Sequence, residues 1–325
     1  MDISVIGCGV AGLCMATEFT SRGAKVRLFD KQNAPGPQSC SWWAGGMLAP
    51  YCEGETAPEI VTRLGKTSAD WWQAQGVNVV RNGSLVIALG RDRSELDRFA
   101  RRTSEHTLLN ESELGAVEPD LMGRFSRALY FSSEGHLSPR EALQTLTANL
   151  AARGIEISTD PPTPDTTTID CRGLSARDAL KDLRGVKGEM MVLQCADVKL
   201  SRPIRLLHPR IPIYLVPRGG GIYMLGATQI ESADRTRATV RSVLELLSAA
   251  FALHPAFGEA EILEIGVDAR PAFPDNVPRI TRNKNTIYAN GLFRHGFLLA
   301  PALAQMTAEY VLNGTRPEVM FDNHP

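Results

Sequence analysis

The residues whose spacing points most clearly to chemistry are three glycines near the start of the chain and an acid that follows them. Glycine occupies positions 7, 9 and 12, and Asp30 follows at about the 20-residue distance typical of dinucleotide sites. Gly7 permits a tight turn, Gly9 lets the backbone approach a pyrophosphate, and Gly12 lets a helix pack closely on a strand. Asp30 can accept hydrogen bonds from two ribose hydroxyls. The pattern predicts a nucleotide-binding site; the alternative is a tight turn that binds nothing.

The elements around these residues form a strand–helix–strand unit. Residues 3–6 are an apolar run typical of a strand, residues 13–19 give an apolar helical face, and Gly23 ends that helix. Residues 25–29 predict a second strand that leads to Asp30. The helix N-terminus offers free N–H groups and a positive dipole end, which suit the phosphates of a dinucleotide.

A second candidate stretch is residues 39–50 (SCSWWAGGMLAP), which is rich in small side chains where another helix is expected to begin. Ser41 can hydrogen-bond a phosphate, and Gly46 lets the backbone pass close to a flat ring. Met47 and Leu48 can offer that ring apolar contact and backbone N–H groups. The alternative is a loop with a helix cap.

A third stretch is residues 290–301 (NGLFRHGFLLAP), in which two glycines flank a charged pair. A helix is predicted from about residue 301 to residue 312, with Gly314 ending it. Its N-terminus, aimed at the pyrimidine edge of a flavin, would stabilise the anionic reduced ring. His295 has two interpretations: a base that acts directly in catalysis, or a histidine that caps or supports the loop.

Two further residues have side chains that suit a carboxylate ligand. Arg270 ends a predicted strand and precedes a proline, and its planar guanidinium can donate two parallel hydrogen bonds to a carboxylate. The alternative is that Arg270 ties down the proline-rich loop through Asp275. Tyr214 lies on a predicted hairpin strand, where its hydroxyl can reach a carboxylate oxygen. The alternative for Tyr214 is a place in the core.

Composition excludes several classes of function. The chain has 325 residues, 43% hydrophobic and 22% charged, with a net charge of −1. Such a chain is typical of globular proteins and has no field to attract nucleic acid or an anionic membrane. It has no apolar run long enough to span a bilayer and no basic leader, so a cytoplasmic location is predicted. Six scattered cysteines favour reduced thiols, and the dispersed histidines predict no metal site.

Strand and helix signals place α/β units at both ends of the chain and a more antiparallel region in the middle. The second α/β unit begins with a capping box predicted between Ser138 and Glu141, and its helix ends at Gly154. This order predicts one domain that is discontinuous in sequence, with a second domain inserted into it. The elements of the middle are a hairpin of strands 213–217 and 222–227, a helix at 242–252 and a strand at 261–267.

Together these stretches resemble the D-amino-acid oxidase superfamily of FAD-dependent amine oxidases, and within it the glycine oxidase branch of thiamin biosynthesis. The resemblance runs in order over nearly the whole chain. The motifs that carry it are residues 7–12 with Asp30, 44–50, 186–189, 213–218 with 226–228, 270–278 and 290–301.

The resemblance implies an α/β fold with a discontinuous Rossmann-type FAD-binding domain and an inserted, mostly antiparallel-sheet substrate domain of α+β character. The FAD-binding domain is expected at residues 1–80, 136–183 and 268–325, and the substrate domain at residues 81–135 and 184–267. Tyr214, Arg270 and Arg294 match family positions, and we expect them to bind and orient a substrate carboxylate. The residues expected to contact FAD are Gly7, Gly9, Val10, Ala11, Gly12, Asp30, Lys31, Cys40, Ser41, Gly46, Met47, Leu48, Gly173, Arg294, His295, Gly296, Phe297 and Leu298.

The implied reaction is hydride transfer from the Cα of a small amino acid to flavin N5, which gives an imine, with O2 then reoxidising the flavin to yield H2O2. Glycine, sarcosine and small D-amino acids are the expected substrates, and for glycine the product would supply thiazole synthesis. The family also implies a homo-oligomer, either a dimer or a tetramer, without nucleic acid or membrane partners. Three alternatives stay open: a dehydrogenase that uses a quinone, a non-catalytic flavin-binding subunit, and a nicotinamide dehydrogenase.

The chain departs from the family pattern in one place. The family carries a longer pair of strands that touches the adenine, and residues 158–169 are shorter here. The adenine contacts are therefore the part of the expected site that the resemblance supports least.

Overall fold

The computed structural model describes residues 1–160, 162, 166–208 and 212–321, so part of the shortened stretch at 158–169 lies outside the described residues. The helices are α1 Val10–Ser21, α2 Pro50–Glu53, α3 Glu59–Gly65, α4 Ser68–Ala74, α5 Arg93–Arg102, α6 Glu111–Val117, α7 Pro139–Ala151, α8 Val240–Leu253 and α9 Gly296–Asn313. The strands are β1 Asp2–Ile6, β2 Lys25–Phe29, β3 Met47–Leu48, β4 Val79–Val80, β5 Ser84–Ala88, β6 Thr107–Asn110, β7 Arg127–Phe131, β8 Gly135–Leu137, β9 Ile157–Ser158, β10 Thr167–Asp170, β11 Arg184–Gln194, β12 Ile204–Leu207, β13 Ile213–Gly219, β14 Ile222–Gly226, β15 Ile230–Glu231, β16 Glu261–Ala272, β17 Arg279–Asn283, β18 Thr286–Asn290 and β19 Met320–Phe321.

The first sheet has seven strands in the order β19-β17-β18-β10-β1-β2-β9. All neighbours in it are parallel except β17 and β18. The carboxyl ends of β1, β2 and β10 meet at one edge, where Gly7, Asp30 and Cys171 follow them. Ligands of open parallel sheets bind in such a crevice. The sheet contains the strands predicted at residues 3–6 and 25–29.

Helices α1 and α9 pack against this sheet because both carry nearly continuous apolar surfaces. Leu13, Met15 and Phe19 of α1 and Leu303 of α9 belong to one buried core that also contains Val5 of β1. Burying both helices places their N-terminal ends at the same edge of the sheet as the strand ends named above. The fold therefore brings two helix N-termini to the predicted ligand crevice.

Helix α9 begins five residues before the predicted start, so Pro301 lies inside the helix rather than at its first turn. A proline inside a helix leaves the carbonyl four residues earlier without its usual N–H donor. Here that carbonyl belongs to Phe297, and it accepts a hydrogen bond from Trp72 Nε1 at 2.8 Å and one from Ser68 Oγ at 3.3 Å. Helix α4 thus supplies the donors that let α9 continue through the proline.

The second sheet has nine strands, eight of them in the order β15-β11-β14-β13-β12-β5-β7-β6, with β16 also paired to β11. Its pairs are antiparallel except for β12 with β5. The predicted hairpin is confirmed as β13 and β14. The predicted end of the last strand at residue 267 is wrong, since β16 pairs with β11 as far as Ala272. Arg270 therefore lies within a strand, on which the missing N–H of Pro271 is tolerated because β16 is an edge strand.

A small third sheet has the strand order β3-β8-β4. Along the chain, its strands fall between strands of the two large sheets. The helix expected from residue 39 is instead a turn of 3₁₀ helix at Cys40–Trp43, followed by β3 and the short α2. Helix α7 starts at Pro139 as predicted, but the hydroxyl of Ser138 makes no cap bond. The proline in the first turn, with its preset φ, marks that helix start without the predicted capping box.

The mixed α/β fold expected from the sequence is confirmed. The strands of the seven-stranded sheet come from residues 2–29, 157–170 and 279–321, and those of the nine-stranded sheet from residues 84–131 and 184–272. Within the described residues, no helix is both long and apolar enough to cross a membrane.

Candidate cofactor and substrate site

A cavity of about 1340 Å³ runs from the carboxyl ends of β1, β2 and β10 to the face of the nine-stranded sheet. Almost all of the residues predicted to form the site line it. Gly12 and Leu48 do not. The lining residues from the prediction are Gly7, Gly9, Val10, Ala11, Asp30, Lys31, Cys40, Ser41, Gly46, Met47, Gly173, Tyr214, Arg270, Arg294, His295, Gly296, Phe297 and Leu298.

The glycine fingerprint has the steric role that its spacing indicated. Gly7 has φ +100°, and a Cβ there would lie 2.6 Å from the carbonyl oxygen of Cys171. A Cβ on Gly12 would lie 1.7 Å from the carbonyl oxygen of Gly7. Gly12 therefore lets α1 pack against the turn rather than facing the cavity, whereas Gly9, the N-cap of α1, lines the cavity.

Asp30 and Ser41 are both held by backbone N–H groups of the fingerprint turn. The carboxylate of Asp30 accepts a hydrogen bond from Cys8 N at 2.5 Å, which fixes it at the end of β2. Ser41 Oγ accepts one from Val10 N at 3.0 Å, so Ser41 caps the first turn of α1. A hydroxyl that accepts here still has its own hydrogen to donate. Ser41 can therefore link the helix N-terminus to an anion in the cavity.

The loop at residues 44–47 approaches the cavity closely because it has glycines where side chains would collide. Gly46 has φ +71°, and a Cβ there would lie 2.2 Å from the carbonyl oxygen of Leu137. A Cβ on Gly45 would lie 2.8 Å from the ring of Tyr214. Met47 lines the cavity, but the side chain of Leu48 is buried in the core.

Tyr214 and Arg270 line the cavity from the nine-stranded sheet. Tyr214 on β13 lies opposite Gly226 of β14. Arg270 Nη1 donates to the carbonyl oxygen of Thr228 at 3.2 Å, and Arg270 has no ion pair with a carboxylate in the part of the chain that the structure describes. The alternative interpretation, in which Arg270 pairs with Asp275, does not hold, since Asp275 binds Arg279 at 3.2 Å.

A buried carboxylate that the sequence analysis missed organises the other end of the cavity. Glu53 at the end of α2 binds Arg205 Nη2 at 2.6 Å and Arg294 Nη2 at 2.7 Å. His295 Nε2 lies 2.9 Å from the same carboxylate. Burial alone would raise the pKa of Glu53, but Arg294, Arg205 and His295 together hold it well below its usual range. No local sequence signal marked Glu53 or Arg205, because they meet only through the tertiary fold.

This cluster changes how Arg294 and His295 are interpreted. The guanidinium of Arg294 is engaged by Glu53 and by Thr56 Oγ1 at 2.8 Å, so it has fewer donors to offer than Arg270. His295 is the N-cap of α9, and its Nδ1 is buried without a partner among the described residues. An atom that is closed off from the cavity cannot take a proton from a substrate there. The geometry therefore favours a supporting role for His295.

The cavity fits FAD on several independent features. The fingerprint and the capped N-terminus of α1 suit a pyrophosphate, the glycine loop leaves room for a flat ring, and α9 begins at the cavity wall.

Burial raises the pKa of Cys40 to about 12, so this thiol lines the cavity in its neutral form. Among the residues that the structure describes, no group of three or more His, Cys, Asp or Glu side chains could hold a metal ion.

Comparison with known proteins gives the same assignment. The profile of a family described as FAD dependent oxidoreductase matches residues 2–310. A Rhizobium etli protein named as the thiamine biosynthesis oxidoreductase ThiO is 49% identical over 317 residues, 96% of this chain and 97% of that protein. A glycine oxidase of Geobacillus kaustophilus is 24% identical over 371 residues, 100% of this chain and 95% of the relative. The crystal structure of glycine oxidase from Bacillus cereus has TM-score 0.81 and 21% identity, covers 97% of this chain and 96% of that one, and shows likeness of fold.

Proposed function

Because the chain belongs to the family of FAD-dependent oxidoreductases, we propose that it oxidises a small amino acid, with glycine as the first candidate. When bound, FAD supplies the hydride acceptor that converts the Cα–N bond of the substrate into an imine. The protein supplies little acid–base chemistry in this proposal. Its residues bind the substrate, orient it and keep water away from it.

The carboxylate of the amino acid binds to Arg270, with the hydroxyl of Tyr214 on one of its oxygens. Both side chains come from the nine-stranded sheet, so the carboxylate is held against that face and the Cα points across the cavity. The amine is bound deprotonated, as hydride loss from Cα requires. The proposed FAD site lies opposite, at the glycine fingerprint, the loop at residues 44–47 and the start of α9.

One observation supports this assignment above the others: Arg270 is an arginine of the cavity wall whose charge is not matched by any carboxylate of the described residues. Of the other lining arginines that the structure describes, five each bind a carboxylate of the chain. A sixth, Arg241, is exposed to solvent. The five pairs are Arg98 with Glu95, Arg172 with Asp170, Arg205 with Glu53, Arg235 with Asp268 and Arg294 with Glu53.

The same proposal assigns the two domains. Residues 1–80, 136–183 and 268–325 form the FAD-binding domain, and residues 81–135 and 184–267 the substrate domain. The division follows the two large sheets, except that β16 crosses the boundary at residue 268. Arg270 would then belong by sequence to one domain and by strand pairing to the other, which places it at their junction.

Anaerobic stopped-flow absorbance of the purified holoenzyme tests the function. Glycine, sarcosine, D-alanine, D-proline and L-alanine are mixed in turn with the oxidised protein, and loss of the flavin absorbance is followed. Bleaching by glycine or another member of the panel is expected, with colour restored on admission of O2. Bleaching that only a quinone reverses would favour the dehydrogenase alternative. No bleaching by any of the amines would favour a non-catalytic flavin-binding subunit.

Three further parts of the proposal are separate from the chemistry. The name of the Rhizobium etli relative supports a role for the imine product in thiamin thiazole synthesis. The homo-oligomeric state and the cytoplasmic location stay predictions. Size-exclusion chromatography with light scattering measures the first, and fractionation of source cells measures the second.

A further inference from the structure

We infer that Gly188, Thr228 and Glu189 form a positioning unit that sets the plane and direction of the Arg270 guanidinium before any ligand binds. The inference rests on the proposed role of Arg270 in carboxylate binding. It concerns residues that have no proposed role in the reaction itself. It gives a physical reason for the glycine at position 188 and the acid at position 189.

The guanidinium of Arg270 occupies the space that a side chain at Gly188 would take. The two residues are on paired strands, β11 and β16. A Cβ at Gly188 would lie 2.3 Å from Nη2, 2.5 Å from Cζ and 2.6 Å from Nη1 of Arg270. Three atoms of the planar group thus surround the position that a Cβ on Gly188 would take, so the guanidinium lies beside this residue. The backbone of Gly188 is outside the positive-φ region. A side chain at this position is therefore opposed by Arg270 and not by the backbone conformation, and it would fit only if the guanidinium moved.

Thr228 sets the direction of the same group, because its carbonyl oxygen accepts from Arg270 Nη1 at 3.2 Å. Thr228 is itself fixed to Glu189 by three hydrogen bonds. Thr228 N donates to the Glu189 carbonyl oxygen at 3.1 Å, Glu189 N donates to Thr228 Oγ1 at 2.8 Å, and Thr228 Oγ1 donates to Glu189 Oε2 at 3.0 Å. The carbonyl that Arg270 uses therefore cannot rotate away without breaking these bonds.

Glu189 is anchored in turn from a different part of the chain. Its side chain is 1% exposed, and Thr239 N, at the N-cap of α8, donates to Oε1 at 3.1 Å. Lys187 Nζ lies 3.6 Å from Oε1 and 2.6 Å from Asp234. The buried charge of Glu189 is thus compensated, and the unit joins β11, the second residue after β14 and the start of α8 into one support.

The physical result is that one hydrogen bond and the close approach of Gly188 orient Arg270, while its other donors bind no group among the described residues and stay available to a ligand. An arginine carries five N–H donors, and a carboxylate needs two of them in parallel. A guanidinium that is already oriented loses little further freedom when it binds, which favours affinity and correct placement of the reacting Cα. Gly188 and Glu189 are positioning residues in this sense, since they act on the substrate only through Arg270 and Thr228.

The test uses two variants of the holoenzyme that change the support but keep Arg270. Gly188→Ala adds the Cβ that the guanidinium occupies. Thr228→Val keeps the shape of the side chain but removes the hydroxyl that binds Glu189. Gly90→Ala is the matched control for the first, because a Cβ there meets nothing within 4 Å. Thr228→Ser is the control for the second, since it keeps the hydroxyl.

Two measurements separate positioning from a general structural effect. The first is the Kd of glycolate, a carboxylate without an amine, titrated anaerobically and followed by the flavin spectrum. The second is KM and kcat for glycine, with the FAD content of each variant recorded. We expect Gly188→Ala to raise the glycolate Kd and the glycine KM by about 10- to 100-fold, with a smaller rise for Thr228→Val. FAD content and both controls should match the wild type.

The outcomes distinguish this inference from the proposed function. If glycine bleaches every variant with an unchanged KM and glycolate binds equally to all, the positioning unit is refuted while the function stands. If the wild type oxidises no amino acid but Gly188→Ala and Thr228→Val still weaken glycolate binding, the unit stands and the proposed substrate is wrong. Loss of FAD from both variants, with unchanged glycolate affinity in the remaining holoenzyme, also refutes the unit.

Discussion

Seven arginines of the described part of the chain line the cavity, and at the residue scale its chemistry depends on which of them still has donors to offer. Residue type does not decide this, because all seven carry the same charge. The contacts that each arginine already makes within the protein decide which of them can bind a ligand. The carboxylate of Glu53 already forms ion pairs with Arg205 and Arg294. Among the described residues, the hydrogen-bond partner of Arg270 is instead a neutral backbone carbonyl group. Affinity for an anionic ligand is therefore expected to concentrate at Arg270.

Replacing Arg270 by alanine tests this expectation. The loss of a buried charge-assisted contact costs about 2–5 kcal/mol, and each 1.4 kcal/mol is about tenfold. Arg270→Ala should therefore raise the KM for the amino acid by about 30-fold or more while FAD stays bound. Steady-state kinetics and the flavin spectrum measure both. Arg153→Ala, which removes an exposed arginine at the end of α7, is the control and should leave KM unchanged. An unchanged KM in Arg270→Ala would remove this residue from the substrate site.

At the scale of single elements, the most specific feature is how α9 continues through Pro301. Trp72 Nε1 donates to the Phe297 carbonyl oxygen that the proline leaves without its helical partner. Because the N-terminus of α9 lies at the cavity wall, this contact also supports the position of the expected flavin site. The helix therefore depends on a donor from α4 for a bond that other helices make internally.

A double-mutant cycle tests this dependence. Trp72→Phe removes the donor and should lower the free energy of unfolding by about 1–3 kcal/mol. In a Pro301→Ala background the new N–H of residue 301 can bond to Phe297, so the same substitution should cost less. Urea unfolding of the four proteins gives the coupling, and the lost packing of the indole cancels between the two backgrounds. Equal costs in both backgrounds would show that Trp72 acts through packing alone.

At the scale of the whole molecule, the cluster around Glu53 joins the two large sheets. Arg205 comes from β12 of the nine-stranded sheet, and Arg294 and His295 lie between β18 of the seven-stranded sheet and α9. Glu53 itself lies on α2, between these partners. One buried carboxylate thus neutralises cations from both halves of the fold, and its removal should loosen their association.

Glu53→Gln leaves the largely buried guanidinium of Arg205 and the partly exposed one of Arg294 without the charge that Glu53 supplies. Breaking a buried pair in this way costs about 3–5 kcal/mol, which thermal or urea unfolding can measure. The control is the same substitution at Glu318, whose ion pair with Arg63 is exposed to solvent, so its loss should destabilise the protein much less. If Glu53→Gln and Glu318→Gln destabilise the protein equally, the buried cluster does not hold the two sheets together.

The pH dependence of stability is the second property of the whole molecule that the structure predicts. Burial, with a further contribution from Arg218, lowers the pKa of His136 on β8 to about 4. The unfolded chain takes up this proton below about pH 6.5, whereas the folded protein does not until about pH 4. Stability from this residue is therefore complete above the unfolded pKa and is lost as the pH falls towards the folded one.

Between about pH 7.5 and about pH 5, this linkage amounts to about 2 kcal/mol. His136→Asn cannot titrate, so its free energy of unfolding should decline less over the same interval than that of the wild type. Urea unfolding of both proteins at the two pH values measures the difference. Identical declines would assign the acid sensitivity to other groups.

Much of the fold and part of the site could be predicted from sequence because they depend on local rules. The first strand–helix–strand unit, the hairpin of β13 and β14 and the end of α9 at Gly314 follow from apolar periodicity and glycine geometry over a few residues. The fingerprint and Asp30 belong to the same class, since one turn of the chain contains them. Arg270 and Tyr214 were marked by residue type and by resemblance to a family.

What only the tertiary structure decided is which charges are matched and which surfaces touch. Glu53 and Arg205 are 152 positions apart, so no window of sequence pairs them. The sequence predicts the start of α9 five residues too late, because the donors that bind the Phe297 carbonyl oxygen come from α4. In the sequence, Gly188 is an ordinary strand glycine. In the fold, the guanidinium of Arg270 on β16 occupies the space of its missing side chain. Local conformation depends on neighbours in the chain, whereas charge matching and steric fit depend on neighbours in space, which only the folded protein specifies.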